Sequence, residues 1–414
     1  MSYADPAKLA VVACPGAEVF ADEVIAHLKK CYRHKFDNAI ADLSKRYAMS
    51  REEVMSRIGF IHDAGSLTDL VDGKFRAPKF KVETRFTIFA NGEIKAEILE
   101  SVRGKDIYIV EDTENRLPLV FYGGVERSLT VNDHLMTVFV TVDAVKQAGA
   151  RRVTLVIPNY PYSRQHKRKG REGLTASRVG IMLETLGVDR ILTLDIHSRE
   201  ICNSFRGMGL ENLHASYQII RQLSKMPEIA EGNFVVVSPD TGAVDRNKFY
   251  ATTFKKPLAL LYKERDYSRI SKDALDNNIA EIKLLGNVKG KTVFMADDIL
   301  GTGGTLLKAM AFLREQGANK VIAAVSLPLF SGDSVAYFDD AYGRGLFYRI
   351  IGTNAVFHKE LLEREWYISV SVSKLFARTI SRLYQELSVS SLLDNREVIE
   401  KLLAESNEPS GCGN

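Results

Sequence analysis

The 414-residue chain has few cysteines and no pattern among them. The four cysteines lie far apart and form no Cys-x-x-Cys pair, which argues against a structural zinc site and against a disulfide framework. No apolar run reaches the length of a membrane span, and the N-terminus lacks the basic-then-apolar pattern of a signal peptide. We therefore expect a cytoplasmic protein with no membrane partner.

The chain also lacks a strong excess of charge. Lys and Arg total 56 against 52 Asp and Glu, a balance that gives no argument for nucleic acid as a partner. Hydrophobic residues make up 45% and charged residues 26%, which is ordinary for a globular protein. At this length the chain is expected to form two or three domains.

One stretch carries the clearest chemical pattern. An apolar β-prone run from Val293 ends in Asp297-Asp298, passes through a Gly/Thr loop at 301–305, and enters an apolar segment of helical length that ends at Gly317. Glycines and the N-terminus of a helix suit a phosphate, and no Gly-Lys-Ser/Thr of a Walker loop follows. The paired carboxylates can accept hydrogen bonds from sugar hydroxyls or hold Mg²⁺.

Other candidate residues follow predicted strands. Residues 158–171 are strongly cationic and aromatic, as polyphosphate recognition requires. His197 and Asp240 each follow an apolar run and make a plausible shared Mg²⁺ site. Lys263 and Arg265 precede a polar loop that extends to about Asn278, and their charges suit the transfer of a diphosphoryl group.

Two halves of the chain repeat one pattern. Val102-Arg103-Gly104-Lys105 precedes a strand that ends in Glu111-Asp112, as Val288-Lys289-Gly290-Lys291 precedes the strand of Asp297-Asp298. We interpret this as a duplicated α/β unit with a mostly parallel sheet in each copy. The predicted division is residues 1–210, including a helical insertion at about 32–82 with a capping box at Ser50, then 211–372, then a C-terminal helix and flexible tail at 373–414.

Taken in order, the motifs resemble those of ribose-phosphate diphosphokinases, the PRPP synthetases, from about Ile88 to Leu393. The matching segments are Phe89-x-x-Gly92-Glu93, Val102-Arg103-Gly104, Asn132-Asp133-His134-Leu135-Met136, Pro161-Tyr162-Ser163-Arg164-Gln165, Leu194-Asp195-Ile196-His197, Ser238-Pro239-Asp240, Lys263-Glu264-Arg265, Asp297-Asp298 with Thr302-Gly303-Gly304-Thr305, and Phe330-Ser331-Gly332. The resemblance implies two duplicated type I phosphoribosyltransferase-like domains. It also implies transfer of the β,γ-diphosphoryl group of ATP to O1 of ribose 5-phosphate, giving PRPP and AMP.

The resemblance further implies roles for individual residues. Lys263 and Arg265 would be catalytic, and His197 and Asp240 would bind Mg²⁺. The residues that would bind ribose 5-phosphate are Asp297, Asp298, Thr302, Gly303, Gly304 and Thr305. The residues that would bind ATP are Phe89, Asn91, Glu93, Arg164, Gln165 and His166. Phe89 and Glu93 would act from a neighbouring subunit, which implies a dimer-based homo-oligomer, commonly a hexamer.

Three positions depart from the family pattern, because Gly301, Asn91 and His166 stand where the family usually has Asp. The loss at Gly301 removes a carboxylate near the reacting hydroxyl. This leaves two alternatives open beside an active synthetase: a regulatory paralogue that no longer turns over, and a type I phosphoribosyltransferase.

Overall fold

The computed structural model describes residues 6–57, 70–71, 74–75, 78–168, 170–265, 279–393 and 396–407. The strands are β1 Leu9–Ala13, β2 Leu70–Val71, β3 Lys74–Phe75, β4 Thr84–Ile88, β5 Ile94–Ile98, β6 Asp106–Val110, β7 Leu119–Val120, β8 Glu126–Arg127, β9 Arg152–Val156, β10 Arg190–Leu194, β11 Gly209–Leu213, β12 Phe234–Ser238, β13 Leu258–Arg265, β14 Ile279–Leu285, β15 Thr292–Leu300, β16 Lys320–Pro328, β17 Arg349–Thr353 and β18 Tyr367–Val370. The α-helices are α1 Glu18–Tyr47, α2 Val131–Gln147, α3 Thr175–Thr185, α4 Ser216–Leu223, α5 Pro227–Ala230, α6 Val244–Phe254, α7 Gly304–Glu315, α8 Ser334–Gly343, α9 Ser373–Tyr384, α10 Ser390–Leu393 and α11 Arg396–Asn407.

The described chain divides into two compact units, each built from separate segments. The first takes its residues from 1–193, 198–213 and 373–392, and the second from 194–197, 214–372 and 393–414. No helix among the described residues is both long and apolar enough to cross a bilayer. The Gly/Asp/Lys-rich part of the predicted insertion, the polar loop predicted up to Asn278 and the last residues of the predicted tail lie largely or wholly outside the described residues.

The first unit is organised on a five-stranded sheet in the order β1-β6-β9-β10-β11. Its strands β1, β6, β9 and β10 pair in parallel, and β1 and β6 are buried along their whole length, as expected for a sheet covered on both faces. Helix α1 runs for 30 residues without a break, so the first part of the insertion predicted from about residue 32 continues a helix that begins at Glu18.

Helix α1 packs against α9 within this unit. Phe20 and Phe376 meet edge to face at 5.4 Å, and the Lys35 ammonium donates to the Ser381 hydroxyl at 2.9 Å. The capping box predicted at Ser50 is confirmed, because Glu53 N–H donates to the Ser50 hydroxyl at 3.1 Å and Ser50 N–H donates to the Glu53 carboxylate at 2.8 Å.

The second unit contains a seven-stranded sheet in the order β14-β13-β12-β15-β16-β17-β18. All neighbouring strands pair in parallel except β13 and β14, which are antiparallel at one edge. An aromatic cluster lies in its core: Phe338 stacks on Trp366 at 5.8 Å and meets Phe330 edge to face at 5.2 Å.

The predicted duplication is visible in matching backbone hydrogen bonds. In the first unit Gly104 N–H donates to the Gly149 carbonyl at 2.9 Å and Lys105 N–H to Val102 at 3.1 Å, and in the second Gly290 N–H donates to Gly317 at 2.8 Å and Lys291 N–H to Val288 at 3.1 Å. Tyr162 and Phe330, each followed by a serine after the next strand of its unit, both have positive φ, at 60° and 41°. Since a positive φ is costly for an aromatic residue, its occurrence at both positions indicates one inherited backbone design.

Gly180 provides a test of packing in the first unit. It lies inside helix α3, where alanine is normally favoured over glycine by about 1 kcal/mol. A Cβ at this position would overlap the ring of Phe205, however.

Gly180→Ala should therefore lower the free energy of unfolding by about 1–3 kcal/mol, measured as a drop in the thermal unfolding temperature. Gly343→Ala is the control, because that helical glycine has open space around it; an equal loss in both variants would contradict the packing argument.

Candidate active site

The candidate site lies at the carboxyl ends of strands β12, β13 and β15 in the second unit. The chain passes from β12 to β13 on one side and later returns to β15 on the other side of β12. In open α/β sheets such a reversal of strand order leaves a crevice where ligands bind. The topology alone therefore selects the same strand ends that carry Asp240 and Asp297-Asp298.

The two adjacent aspartates differ in environment. Both lie inside β15, which continues to Leu300, whereas the sequence pattern predicts that the strand ends at these two residues. Asp298 N–H donates to the Asp297 carboxylate at 2.9 Å. Burial and the neighbouring charges of Asp298 and Asp240 raise the pKa of Asp297 to about 8. The pair therefore holds one proton more readily than two exposed carboxylates would, and Asp297 carries it.

Asp298 is the ionised member of the pair. Burial alone would raise its pKa, but the hydrogen bond from His197 and the charge of Arg246 outweigh burial and lower the pKa well below its usual range. His197 Nδ1 lies 2.7 Å from Asp298 Oδ2. Because an ionised carboxylate only accepts, Nδ1 of His197 carries the proton in this bond.

A buried network around Asp195 fixes the segment that delivers His197. Asp195 adopts a φ of 42°, and its carboxylate contacts His214 Nδ1 at 2.7 Å and accepts from the Ser326 hydroxyl at 2.5 Å. Burial alone would raise the pKa of Asp195. The hydrogen bond with His214 and the charge of Arg246 outweigh burial and lower the pKa to about 2. Asp195 is thus a buried, ionised anchor two residues before His197.

Asp240 and the strand beside it are also held by hydrogen bonds. The Asp240 carboxylate accepts from the backbone N–H of Ala243 at 3.0 Å, at the start of α6. On the same helix, Asn247 donates to the Ala296 carbonyl at 2.8 Å and accepts from the Ala296 N–H at 2.8 Å. Asn247 therefore fixes β15 at the residue before Asp297.

The Gly/Thr loop is shaped by Gly303. This residue caps helix α7 with a φ of 76°, and a Cβ placed on it would overlap the ring of Phe338. Across the loop, Ser331 N–H donates to the Gly301 carbonyl at 3.1 Å. The loop thus presents the N-terminus of a 12-residue helix, where free backbone N–H groups favour an anion.

The strand β13 ends beside this crevice. Lys263 and Arg265 are among the last three residues of β13. Their backbones pair with those of Ile282 and Ile279 of β14, and the register of the pairing shifts between Glu264 and Arg265. The predicted catalytic cations are therefore on a strand next to β12, at its carboxyl end.

Comparisons with known proteins cover both units. The family model for the N-terminal domain of ribose phosphate pyrophosphokinase matches residues 65–187, and the phosphoribosyl transferase domain model matches residues 208–362. A ribose-phosphate pyrophosphokinase from Bacillus caldolyticus is 33% identical over 74% of this chain and 88% of its own length. The chain belongs to the ribose-phosphate pyrophosphokinase family.

Two further comparisons agree with this membership. Ribose-phosphate pyrophosphokinase 1 from Listeria innocua is 35% identical over 74% of this chain and 88% of its own length. The crystal structure of phosphoribosylpyrophosphate synthetase from Mycobacterium smegmatis matches with a TM-score of 0.67 and 25% identity, over 92% of this chain and 99% of that one. The predicted family and the duplicated phosphoribosyltransferase-like fold are thereby confirmed.

The residues predicted to bind ATP lie in the first unit, in two segments. Phe89, Asn91 and Glu93 form the tip of the β4–β5 hairpin, where Phe89 N–H donates to the Glu93 carbonyl at 2.8 Å and the Phe89 side chain is 48% exposed. Arg164, Gln165 and His166 follow β9 in a turn closed by Gln165 N–H donating to the Tyr162 carbonyl at 2.8 Å. An exposed aromatic ring at a hairpin tip is available to a ligand or to another subunit.

Sequence reasoning missed the contacts that support the site. His214 and Ser326 lie 19 and 131 positions from Asp195 along the chain, so no local pattern joins them to it. Arg246 and Asn247 sit on the helix after Asp240 and carry no motif beyond that proximity. Only the folded structure identifies these residues, because it brings α6, β15 and β16 together around the site.

The shifted pKa of Asp297 predicts a pH-dependent stability. The folded protein binds a proton at Asp297 up to about pH 8, whereas the unfolded chain releases it near pH 4, so this group makes stability fall as pH rises between those values. Asp297→Asn removes that loss. In metal-free buffer the variant should gain at least about 1 kcal/mol over wild type between pH 5 and pH 8, measured by thermal unfolding.

The control is Asp340→Asn, which removes one exposed carboxylate from helix α8. Its difference from wild type should not change with pH over that range. If Asp297→Asn behaves in the same flat way, the carboxyl pair is not the source of the pH dependence.

Proposed function

We propose that this protein is an active ribose-phosphate diphosphokinase that transfers the β,γ-diphosphoryl group of ATP to O1 of ribose 5-phosphate, yielding PRPP and AMP. The observation that carries the proposal is the family match over both units together with the ionised Asp298 held by His197 at the crevice of the second unit. A phosphate loop without the first unit would suit a transferase that consumes PRPP, but both halves match here.

The sugar phosphate binds in the second unit in this proposal. Asp297 and Asp298 accept hydrogen bonds from the ribose hydroxyls, and the 5-phosphate lies on the loop and helix N-terminus formed by Thr302, Gly303, Gly304 and Thr305. The raised pKa of Asp297 fits a group that takes up a proton near neutral pH. Support comes from the capped loop under Phe338, which holds the helix N-terminus in place.

In the reaction, O1 of ribose 5-phosphate forms a bond to the β-phosphorus of ATP. The bond between that phosphorus and the oxygen bridging to the α-phosphorus breaks, AMP leaves with that oxygen, and the O1 proton is lost. Charge on the migrating diphosphoryl group is spread over its oxygens, so positive side chains stabilise the transition state. We assign this role to Lys263 and Arg265.

His197 and Asp240 are proposed to hold Mg²⁺. The imidazole of His197 and the carboxylate of Asp240 suit this role beside Asp297, whose pKa is raised by burial and by the negative charges of Asp298 and Asp240. Mg²⁺ commonly takes only one or two carboxylates from a protein, and His197 and Asp240 would hold it together with the substrate phosphates. When bound, Mg²⁺ neutralises phosphate charge.

ATP is proposed to bind Arg164, Gln165 and His166 of one subunit and Phe89, Asn91 and Glu93 of a neighbouring subunit. The exposed hairpin tip supports this arrangement, which requires a dimer-based homo-oligomer and allows a hexamer. We place the protein in the cytoplasm, where both substrates and the reducing conditions suited to free cysteines occur.

The direct experiment incubates the purified protein with ATP, Mg²⁺ and ribose 5-phosphate and follows AMP and PRPP. Both products should form in equal amounts and depend on all three components. Absence of AMP and PRPP together would reject the proposed function and leave the regulatory paralogue as the explanation.

Lys263→Ala should lower kcat by on the order of 100-fold with little change in KM, because a cation that serves the transition state stabilises it by about 3 kcal/mol. Steady-state kinetics for both substrates measure this. Lys248→Ala, which removes an exposed lysine from α6, is the matched control and should leave both constants unchanged. A rise in KM at constant kcat would instead assign Lys263 to ATP binding.

Gly301→Asp tests whether the missing family carboxylate matters. Gly301 is not among the glycines with positive φ, so an aspartate fits its backbone conformation. With Asp297 and Asp298 already at the site, the added carboxylate is redundant, and kcat should stay within about tenfold of wild type. An inactive wild type that gains turnover in Gly301→Asp would contradict this and identify a decayed enzyme.

A further inference from the structure

A cavity of about 590 Å³ lies in the second unit at the opposite end of β12 from Asp240. Phe234, the first residue of β12, forms its inner wall, and the C-terminal end of helix α6 forms one side. Helix α11 closes another side through Glu400 and Leu403. The volume lies within the range of about 300–1,000 Å³ typical of small-molecule sites.

Part of the cavity lining is aromatic and aliphatic. Phe234 and Phe254 meet edge to face at 5.4 Å with an interplanar angle of 83°, and Ile229 adds a buried aliphatic surface. An aromatic ring in a ligand packs well against such a pair.

The charged residues of the cavity lining favour a ligand with a negative charge. Lys255 and Lys256 line the cavity against a single carboxylate, Glu400, which leaves a net charge of one positive unit. The Lys256 ammonium is fixed by donating to the Gly232 carbonyl at 2.6 Å and lies 5.3 Å from the centre of the Phe234 ring. An ammonium has three protons, so one bond leaves it able to donate to an anion beside that ring.

The cavity is separate from the candidate active site. Helix α6 has 11 residues and is therefore about 16 Å long. Its N-terminal end adjoins Ala243, whose N–H binds Asp240, and its C-terminal end reaches the cavity at Phe254. The wall supplied by α11 also lies beyond residue 362, where the match to the phosphoribosyl transferase domain ends.

We propose that this cavity is a second binding site, which takes a small monoanion with an aromatic ring. The ring packs against Phe234 and Phe254, and the anionic group pairs with Lys255 and Lys256. Glu400 accepts a hydrogen bond from an N–H of the ligand and disfavours a second negative charge.

The probe for the test is 8-anilinonaphthalene-1-sulfonate, an aromatic monoanion with an N–H group. It is titrated by calorimetry into the full-length protein without ATP or ribose 5-phosphate, so the result does not depend on turnover. Wild type should bind one probe per chain. Lys255→Asn removes the charge with a residue that tolerates the φ of 53° found there, and should weaken binding at least fivefold.

Two variants complete the comparison. Ala230→Trp places an indole in the cavity from its exposed rim and should abolish binding. Lys225→Ala removes an exposed lysine that does not line the cavity and should change the affinity less than twofold. Circular dichroism confirms that each variant is folded. Absence of saturable binding to wild type, or equal binding to wild type and Ala230→Trp, overturns the proposal.

Competition tests the charge and the location. Benzenesulfonate should displace the probe, and neutral benzyl alcohol should need at least a tenfold higher concentration. Equal displacement by both would reject the preference for an anion. Saturating ATP and ribose 5-phosphate should change the affinity for the probe less than twofold, and full displacement by these substrates would place the probe in the active site and overturn the proposal.

Discussion

Burial of two consecutive carboxylates in one strand is the constraint on which the second unit depends. Asp297 and Asp298 cannot both be ionised at low cost, because each lies in a partly buried position beside the other. The surrounding residues shift the pKa values of the two carboxyl groups in opposite directions. His197 and Arg246 stabilise charge on Asp298, and Asp297 is left with a neighbour of the same sign at Asp240. The resulting difference in pKa gives one permanent anion and one group that exchanges a proton near neutral pH.

The two copies of the duplicated unit share a backbone arrangement but use the polar residues at the strand end differently. The turn before the strand and the bond across to the next strand are the same in both, within 0.1 Å. At the strand end, however, Glu111 of the first copy contacts His134 at 2.9 Å, and the other nitrogen of His134 contacts the Asn115 carbonyl at 2.7 Å. The polar groups of the first copy are thus used for internal structure. In the second copy Asp297 and Asp298 lie near the carboxyl end of β15, beside the reversal of strand order where the proposed chemistry lies.

Local patterns in the sequence predict the strand, loop and helix at 293–317 and the capping box at Ser50, because each depends on neighbours within a few residues. The repeat is also predictable, since Val102-Arg103-Gly104-Lys105 and Val288-Lys289-Gly290-Lys291 precede corresponding strands in the two halves. The continuous helix α1 was not predicted, since its buried face depends on α9, which is more than 300 residues away. The environment of Asp195 is likewise set by tertiary contacts that no spacing reveals.

The path of the C-terminal chain limits how the protein can be divided. After β18 the chain contributes 373–392 to the first unit and then returns to the second. Helix α1 buries Phe20 against Phe376 of α9, so a fragment that ends near residue 210 lacks the partner of that face. A fragment that begins there keeps β12 and α6 but carries α9 without α1. Each unit is therefore complete only in the intact chain, because apolar surface that one segment leaves exposed is covered by a segment distant in sequence.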